Sequence, residues 1–352
     1  MPNPAELAGR LVARILMGSW RAPPPPLELE AADLSSITPH LLAAGVAGLA
    51  WRRVRDSDLR NTDSAAELRR QYEGNTIQAV LHRQRIESLL QALRSAAVEP
   101  VLVKGWAAAR LYSNEGLRPY ADVDVCVERR QLAAAQRALK TLSNIGLAVD
   151  LHCEFETLGG GDWKEIYSRA QIIHLGETDV HVPSPEDHLR ILSIHMLREG
   201  AWRPVWLCDV AAAVESRPAE FDWQMCFGHN RRWSNWTVCA LKMAQELLGA
   251  EISGTPAEDA KPLRRLLPPV LREWGSPSPS MAQRHRAPMA RHLRSPATVW
   301  SGFRHRWPNP IEGTVVMGGS FNELPRLPFQ LGAYLMRGAG FALGLPTLRR
   351  ER

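Results

Sequence analysis

Two aspartates, Asp122 and Asp124, lie two residues apart in the segment ADVDVCVE at positions 121–128. Apolar and acidic residues alternate there, and a period of two is typical of a β-strand. On a strand both carboxylates point to one face, while Val123 and Val125 point to the other face and into the core. Carboxylates held this close repel each other unless a cation lies between them. We therefore expect both to bind a divalent metal such as Mg²⁺, which takes carboxylate and phosphate oxygens as ligands.

A lysine and a glycine, Lys104 and Gly105, end the apolar segment VEPVLVKG at positions 98–105. The segment is short and β-branched, so it predicts a buried strand that leads into a helix. A glycine at the turn lets backbone amides approach a phosphate closely, and Lys104 adds a positive charge beside it. Arg118, four residues before Asp122, carries a planar guanidinium that suits a triphosphate.

Each of these residues also has a purely structural interpretation. Lys104 could be a surface lysine, and Arg118 could be the ion-pair partner of Asp122. An Asp-x-Asp pattern alone also arises by chance in exposed strands. The combination of a lysine-glycine turn, an arginine loop and paired aspartates is what favours phosphate and metal binding over the structural interpretation.

Segments with helical and strand periodicity surround these residues. The predicted helices before the sheet lie at 5–20, 34–54 and 65–97, the strands at 98–105, 121–128 and 147–155, and the intervening helices at 106–112 and 131–142. In the long helix the apolar residues that recur at intervals of three and four are Ile77, Val80, Leu81, Ile86, Leu89, Leu90 and Leu93. We expect this helix to pack on the strands that follow. The order of elements predicts an α+β fold, with a small mixed β-sheet core flanked by helices and followed by a helical region.

The same pattern divides the chain into four regions. Residues 1–97 are predicted to be helical, with a proline run at 23–26 as a linker. Residues 98–182 hold the sheet core. Residues 183–252 are predicted to be a helical region. Residues 253–352 form a basic region rich in proline and arginine.

The spacing of the motif residues resembles a known family. Lys104-Gly105 is followed, after ten residues, by Gly-Leu-Arg-Pro at 116–119 and then by Asp-x-Asp-x-x-Val at 122–127. This pattern is similar to that of the uncharacterised bacterial nucleotidyltransferases within the DNA polymerase β-like superfamily. The similarity continues through the segments VDLHCEF at 149–155, PSPEDHLRILSIH at 183–195 and WLCDVAAAVE at 206–215, and covers roughly residues 75–250.

The resemblance implies a third carboxylate, on a following strand, that completes the metal site and helps to deprotonate an acceptor hydroxyl. Asp150 is expected in that role, and Glu154 is the fallback. His152 shares the face of Asp150 and is a candidate substrate contact. The turn Lys104-Gly105-Trp106 departs from the superfamily's usual Gly-Gly or Gly-Ser, so a serine contact to phosphate is missing here.

The resemblance further implies transfer of a nucleoside monophosphate from a nucleoside triphosphate to a hydroxyl or phosphate acceptor, with Mg²⁺ or Mn²⁺ as cofactor. The implied site residues are Lys104, Gly105 and Arg118 for the nucleotide and Asp122, Asp124 and Asp150 for the metal, with Lys104 and Asp150 also catalytic. The acceptor stays open between a small molecule, a peptide or protein, and an RNA. An alternative is a catalytically idle module of the same fold that binds a nucleotide or a partner.

Two residues of the predicted helical region, His195 and Asp209, lie in segments that resemble the family. Asp209 interrupts an apolar helix face, which is unfavourable unless the carboxylate is paired. The alternatives are a buried structural pair, with Arg203 or Arg198, and a contact to substrate. His195 has the same alternatives, since a lone histidine on an apolar helix is more often a core residue than a catalyst.

The composition places the protein among ordinary globular proteins. Fifteen Lys or Arg residues stand against four Glu in residues 261–352, which indicates an anionic partner or a solvated basic tail. Five scattered cysteines indicate reduced thiols and a cytoplasmic protein. Residues 329–345 are the most membrane-like segment, but they are short and contain Arg337, so we expect no transmembrane span. A membrane-surface protein anchored by residues 329–350 is a third alternative.

Overall fold

The structure is a computed structural model, and it describes residues 3–142, 146–155, 158–159, 161–261, 263–276 and 307–342. Within these residues it has fourteen α-helices and one five-stranded mixed sheet. The predicted α+β fold class is therefore confirmed. Along the chain, helices come first, then the sheet with its own short helices, then a second group of helices.

Four helices precede the sheet: α1 (Pro4–Leu16), α2 (Ala31–Ala43), α3 (Ala47–Val54) and α4 (Asp63–Ser95). The helix expected at 5–20 ends at Leu16, and Gly18 follows it with a φ of +63°. The helix expected at 34–54 is divided between α2 and α3 by Gly45, whose φ is +73°. Both glycines adopt a left-handed conformation that ends a helix at low cost.

Helix α4 begins at a capping residue, because the side chain of Thr62 accepts a hydrogen bond from the backbone amide of Ala65. Its C-terminal apolar residues, Ile86, Leu89, Leu90 and Leu93, are buried against the sheet as predicted. The prediction was wrong for the apolar residues in the middle of the helix, since Ile77, Val80 and Leu81 are exposed. A helix of 33 residues is about 50 Å long, and the small sheet covers only part of it.

The sheet is formed by β1 (Val101–Leu102), β2 (Asp122–Val127), β3 (Ala148–Cys153), β4 (Gln171–Leu175) and β5 (Thr178–Val182). Three helices lie between these strands: α5 (Trp106–Ala109), α6 (Leu132–Thr141) and α7 (Trp163–Ser168). The strand order is β3-β2-β1-β5-β4. Strand β2 is parallel to β3 and antiparallel to β1, and the hairpin β4-β5 joins the sheet by parallel pairing of β5 with β1.

All three predicted strands are present, although β1 is shorter than expected. The hairpin β4-β5 was not predicted. Its turn contains Gly176, with a φ of +57°, and polar residues alternate with apolar ones in β5. The adjacent pair Ile172 and Ile173 interrupts that alternation in β4, and this break hid the strand period.

The two faces of the sheet are covered differently. One face packs against α4 and α6, and Val125 there contacts the cluster that contains Leu89 and Ala135. On the other face, Cys126 belongs to a small apolar cluster that includes Phe155. The same face is polar where the chain enters β2 from the loop before it, so chemistry is expected at that end.

The helices after the sheet are α8 (Pro185–Arg198), α9 (Pro204–Glu215), α10 (Trp223–Phe227), α11 (Arg231–Leu248), α12 (Leu267–Trp274), α13 (Pro310–Val316) and α14 (Leu327–Ala342). Ser184 caps α8 by accepting a hydrogen bond from the backbone amide of Asp187. A single hydrophobic core joins α1–α3 to these helices, with Ile15, Leu49 and Leu192 among its fully or nearly fully buried members. The helices before and after the sheet thus form one packed body.

The most apolar C-terminal segment forms α14. No helix of the described residues has both the length and the hydropathy needed to cross a membrane. Leu331 and Leu335 of α14 are exposed.

Candidate active site

The parallel pairing of β2 with β3 sets the geometry of the polar site. Asp124 lies directly opposite Asp150, and Cys126 lies opposite His152. Paired residues of adjacent strands share a face, so these side chains project together, while Val125 projects into the core on the other face. The expectation that the aspartates of β2 share one face and the neighbouring valines the other is confirmed.

Three side chains on this face lie in mutual contact. The ligand atoms of Asp124, Asp150 and His152 all lie within 4.8 Å of one another. The Nε2 atom of His152 is 3.1 Å from Oδ1 of Asp124 and 3.4 Å from Oδ2 of Asp150. Oδ1 of Asp150 is buried and has no hydrogen-bond partner among the described residues. An unsatisfied buried carboxylate oxygen is unfavourable, and a bound cation would satisfy it.

Asp122 lies at the exposed end of β2, beside this cluster. Burial raises the pKa of its carboxyl group, the charges of Asp124 and Asp150 raise it further, and the ammonium of Lys104 opposes them. The three carboxylates are therefore close enough to repel one another. Such repulsion is the condition under which a divalent cation binds favourably.

The turn between β1 and α5 brings Lys104 against the cluster. Its Nζ atom is 2.6 Å from Oδ1 of Asp124, and both side chains are buried. Burial tends to raise the pKa of Asp124, but the hydrogen bond from His152 and the charge of Lys104 outweigh it and hold the pKa well below its usual range. Asp124 is consequently ionised at neutral pH, as a metal ligand must be.

Gly105 is the residue at which the turn approaches β2 most closely. Its φ is +46°, and a Cβ atom there would lie 2.8 Å from the carbonyl oxygen of Asp122. The close approach seen here is to β2, and the expected approach of the turn's backbone amides to a phosphate stays a prediction.

We expect Gly105→Ala to lower the free energy of unfolding by about 1–3 kcal/mol, because both the backbone conformation and the contact become strained. The matched control is Gly74→Ala, in helix α4, where an added Cβ meets nothing within 4 Å. Alanine favours a helix, so that variant should be as stable as the wild type or more stable by up to about 1 kcal/mol. Urea unfolding of both variants measures the difference, and equal stability would contradict the strained turn.

Arg118, in the loop before β2, forms a buried salt bridge with Asp209 of α9. Its Nε and Nη2 atoms donate hydrogen bonds to the carboxylate of Asp209 in α9 at distances of 2.6–3.2 Å. The hydroxyl of Tyr112 donates to the same carboxylate at 2.9 Å. Burial lowers the pKa of Arg118, but the charge of Asp209 more than compensates and raises it. The guanidinium that was expected at a triphosphate is held by Asp209.

The structural interpretation of Asp209 as a buried ion-pair member is confirmed, with a different partner. The sequence pointed to Arg203 or Arg198, and it offered Asp122 as the structural partner of Arg118. Both predicted pairings were wrong, because the loop before β2 packs against α9 and brings Arg118 to Asp209. The two residues are 91 positions apart in the sequence. The sequence signal was the acidic residue within an apolar helix, which required some cation without naming it.

His188 of α8 is buried beside the same arginine. Burial, together with the charges of Arg110 and Arg118, lowers the pKa of its imidazole to about 3. Among the described residues its Nε2 atom has no hydrogen-bond partner. The imidazole is therefore neutral in the folded protein at every pH above that value.

This depressed pKa predicts a loss of stability in acid. The unfolded chain binds a proton at His188 below about pH 6.5, whereas the folded protein does not, so stability falls from pH 6.5 toward pH 3. Between pH 7.5 and pH 5 we expect the free energy of unfolding to fall about 2 kcal/mol further in the wild type than in His188→Met. Urea unfolding at both pH values gives this difference directly, because the other titrating groups are common to both proteins. Parallel pH profiles would show that His188 is not buried in the neutral form.

Two further candidate residues, Glu154 and His195, lie outside the three-residue cluster. Glu154 follows β3 and pairs with Arg129 at 3.2 Å, outside the three-residue cluster that contains Asp150. The ring of His195 packs edge-on against Trp206, with centroids 5.0 Å apart. The sequence placed His152 on the face of Asp150, but it gave no sign of the contact with Asp124, because that contact depends on the strand register.

Comparison with known proteins agrees with this geometry. A family model described as uncharacterised nucleotidyltransferase matches residues 30–144 and 140–249, which is more than half of the chain. The match takes in β1–β5 and also α2 and α3, further toward the N-terminus than the resemblance recognised in the sequence. No curated protein and no solved structure matches the chain. The chain belongs to this family of uncharacterised nucleotidyltransferases.

Proposed function

We propose that this protein is a metal-dependent nucleotidyltransferase, which moves a nucleoside monophosphate from a nucleoside triphosphate to a hydroxyl or phosphate acceptor. Family membership supports the general reaction. The observation that carries the metal-dependent mechanism is the cluster of Asp124, Asp150 and His152 at the polar end of the sheet. The pairing of the Asp-x-Asp strand with the strand of Asp150 also supports membership of the DNA polymerase β-like superfamily.

The donor set fits a hard divalent cation, Mg²⁺ or Mn²⁺. Asp124 carries an ionised carboxylate, and Asp150 offers an oxygen without a partner in the described part of the chain. Carboxylate oxygens are the preferred ligands of these ions. Asp122, Asp124 and Asp150 would hold the cation, which would neutralise charge on the phosphates. His152, at 3.1 Å from Asp124, is placed to orient that ligand.

The side chains of the cluster have distinct roles in transfer. Asp150 accepts the proton of the acceptor hydroxyl while the oxygen of that hydroxyl attacks the α-phosphorus. The bond from the α-phosphorus to the bridging oxygen breaks, and pyrophosphate leaves. When a cation is held by Asp124, the ammonium of Lys104 would bond a phosphate oxygen in place of that carboxylate. Gly105 keeps the backbone amides of the turn accessible to the nucleotide.

Arg118 contributes positive charge near the nucleotide while Asp209 holds its guanidinium. In this proposal Asp209 acts through Arg118, and His152 and His195 remain candidates for substrate contact. The acceptor belongs to one of three classes: a small molecule, a peptide or protein, or an RNA. The basic residues after position 260 favour an anionic partner. Cytoplasmic residence, inferred from the scattered cysteines, is part of the proposal.

A nucleotide-binding module without transfer is the second candidate function. The observation that favours it is the 2.6 Å contact between Lys104 and Asp124, which occupies a carboxylate oxygen needed for the cation. The two candidates differ in products, because a binding module takes up nucleotide without releasing pyrophosphate.

The test is incubation of the purified protein with ATP, GTP, CTP or UTP, each labelled at the α-phosphate, together with Mg²⁺. Water and the protein's own side chains serve as acceptors, so nucleoside monophosphate, labelled protein and pyrophosphate are all measured. A chelator provides the metal-free control. We expect pyrophosphate to be released with at least one nucleotide, and we expect no release when the chelator is present. Calorimetric binding without pyrophosphate would favour the second candidate, and neither binding nor transfer with any nucleotide would overturn the proposal.

A further inference from the structure

Arg203 is a half-buried arginine at the start of α9. It occupies the N-cap position, and Pro204 follows it as the first helical residue. Its guanidinium lies over the rings of Trp202 and Trp206, at 5.7 Å and 5.6 Å from their centroids. The two indoles meet edge to face at 84°. Two indoles against one guanidinium restrict its motion and leave its N–H groups available to an anion.

These N–H groups have no anionic partner within the described residues. No carboxylate oxygen there lies within 4.0 Å of the Arg203 guanidinium, and its side chain makes no hydrogen bond. Two buried arginines of the same helical body each hold a carboxylate: Arg118 bonds to Asp209, and Arg190 bonds to Asp187 and three backbone carbonyls. Because Arg203 is only half-buried, these unused donors stay accessible to an anion from solution.

Arg203 interacts electrostatically with Asp122, at the polar end of the sheet. Burial and the charge of Arg118 lower the pKa of Arg203, while Asp122, Asp209 and Glu199 raise it, so the guanidinium lies within the field of all three carboxylates. The turn between α2 and α3 bounds it on another side, since a Cβ atom on Gly45 would lie 2.9 Å from its Nη2. Arg203 and Asp122 do not form an ion pair, since no carboxylate oxygen of Asp122 lies within 4.0 Å of the guanidinium.

We propose that Arg203 binds the terminal phosphates of the nucleoside triphosphate, with Trp202 and Trp206 as its rigid support. The inference rests on the proposed function, because the nucleotide is the source of the polyphosphate. A triphosphate bound to a cation at Asp122, Asp124 and Asp150 still carries negative charge on its terminal phosphates, and positive charge from the protein would stabilise it there. Arg203 supplies it, and its planar fork suits two phosphate oxygens at once. Lys104 serves the phosphates from the sheet, and Arg203 serves them from the helical body.

The experiment compares wild type, Arg203→Gln and Arg203→Lys by calorimetry in Mg²⁺. The probes are a non-hydrolysable nucleoside triphosphate, inorganic tripolyphosphate and the nucleoside alone. We expect Arg203→Gln to raise the Kd for both polyphosphates about 10- to 100-fold, as loss of charged hydrogen bonds implies, and Arg203→Lys to raise it less. Nucleoside binding should not change. The matched control is Arg217→Gln, since Arg217 also lies over a tryptophan, Trp223, but beyond the other end of α9.

The outcomes separate this inference from the proposed function. If the wild type binds the triphosphate and both Arg203 variants bind it equally well, the inference is overturned and the proposed function stands. A loss of nucleoside affinity equal to the loss of polyphosphate affinity would also overturn it, because the role would then be structural. Binding of tripolyphosphate but of no nucleotide would refute both, because the inferred ligand of Arg203 is the nucleoside triphosphate. If the wild type binds neither the nucleoside triphosphate nor tripolyphosphate, both the inference and the proposed function are refuted.

Discussion

Asp124→Asn is expected to lower nucleotide transfer by about 10³-fold, on the scale seen when a charge-stabilising group of an active site is removed. Asp124 lies at the centre of the cluster, since Lys104 and His152 bond to it and Asp150 lies opposite it. An amide at this position cannot carry the negative charge that a divalent cation needs. The measurement is the steady-state release of pyrophosphate at saturating nucleotide.

Two control variants distinguish a lost metal site from an unfolded protein as the cause of lower transfer in Asp124→Asn. Asp179→Asn changes an exposed strand aspartate that pairs with His174, and it should leave transfer unchanged. Asp124→Cys should be inactive with Mg²⁺ and regain part of its activity with Mn²⁺ or Cd²⁺, because a thiolate prefers softer ions. Folding of each variant is checked by its thermal transition, since Lys104 loses its buried partner in both Asp124 variants. If Asp124→Asn retained more than half of the wild-type rate, Asp124 would not be a metal ligand.

Asp209→Ala is expected to lower the free energy of unfolding by about 3–5 kcal/mol, the usual cost of leaving one member of a buried ion pair alone. The carboxylate is 1% exposed and accepts hydrogen bonds from Arg118 and Tyr112. Its removal leaves a guanidinium and a phenol hydroxyl buried without an acceptor. Urea unfolding measures the loss.

A double variant tests the origin of that loss. Arg118→Met combined with Asp209→Leu removes both charges, so we expect it to be more stable than Asp209→Ala alone. Glu73→Ala breaks the exposed pair with Arg69 and should cost less than about 1 kcal/mol. Wild-type stability in Asp209→Ala, together with weaker nucleotide binding, would instead assign Asp209 to the substrate.

The part of the site that lies on single strands could be predicted from the sequence. A period of two is a local property, so the shared face of Asp122 and Asp124 follows from the pattern of residues 121–128 alone. Asp150 could be placed mid-strand in the same way. Its register against Asp124 could not, because register depends on how β2 and β3 pair. The family was recognised because the motif spans a short stretch of chain.

The interactions between distant segments could not be predicted. The partner of Arg118 lies 91 residues away on a helix, and no local period encodes that distance. Periodicity also overstated the buried part of α4, since it shows which side of a helix is apolar but not how far the sheet beneath it extends. Ile77 is exposed for this reason.

The most direct test of the central claim is diffraction at the manganese absorption edge from crystals soaked with Mn²⁺ and a non-hydrolysable triphosphate. We predict an anomalous peak about 2 Å from the carboxylate oxygens of Asp124 and Asp150, with the triphosphate extending from it past Lys104. Nucleotide bound elsewhere in the protein, or no anomalous peak between β2 and β3 at saturating Mn²⁺, would contradict the claim that these two strands hold a metal against a nucleotide.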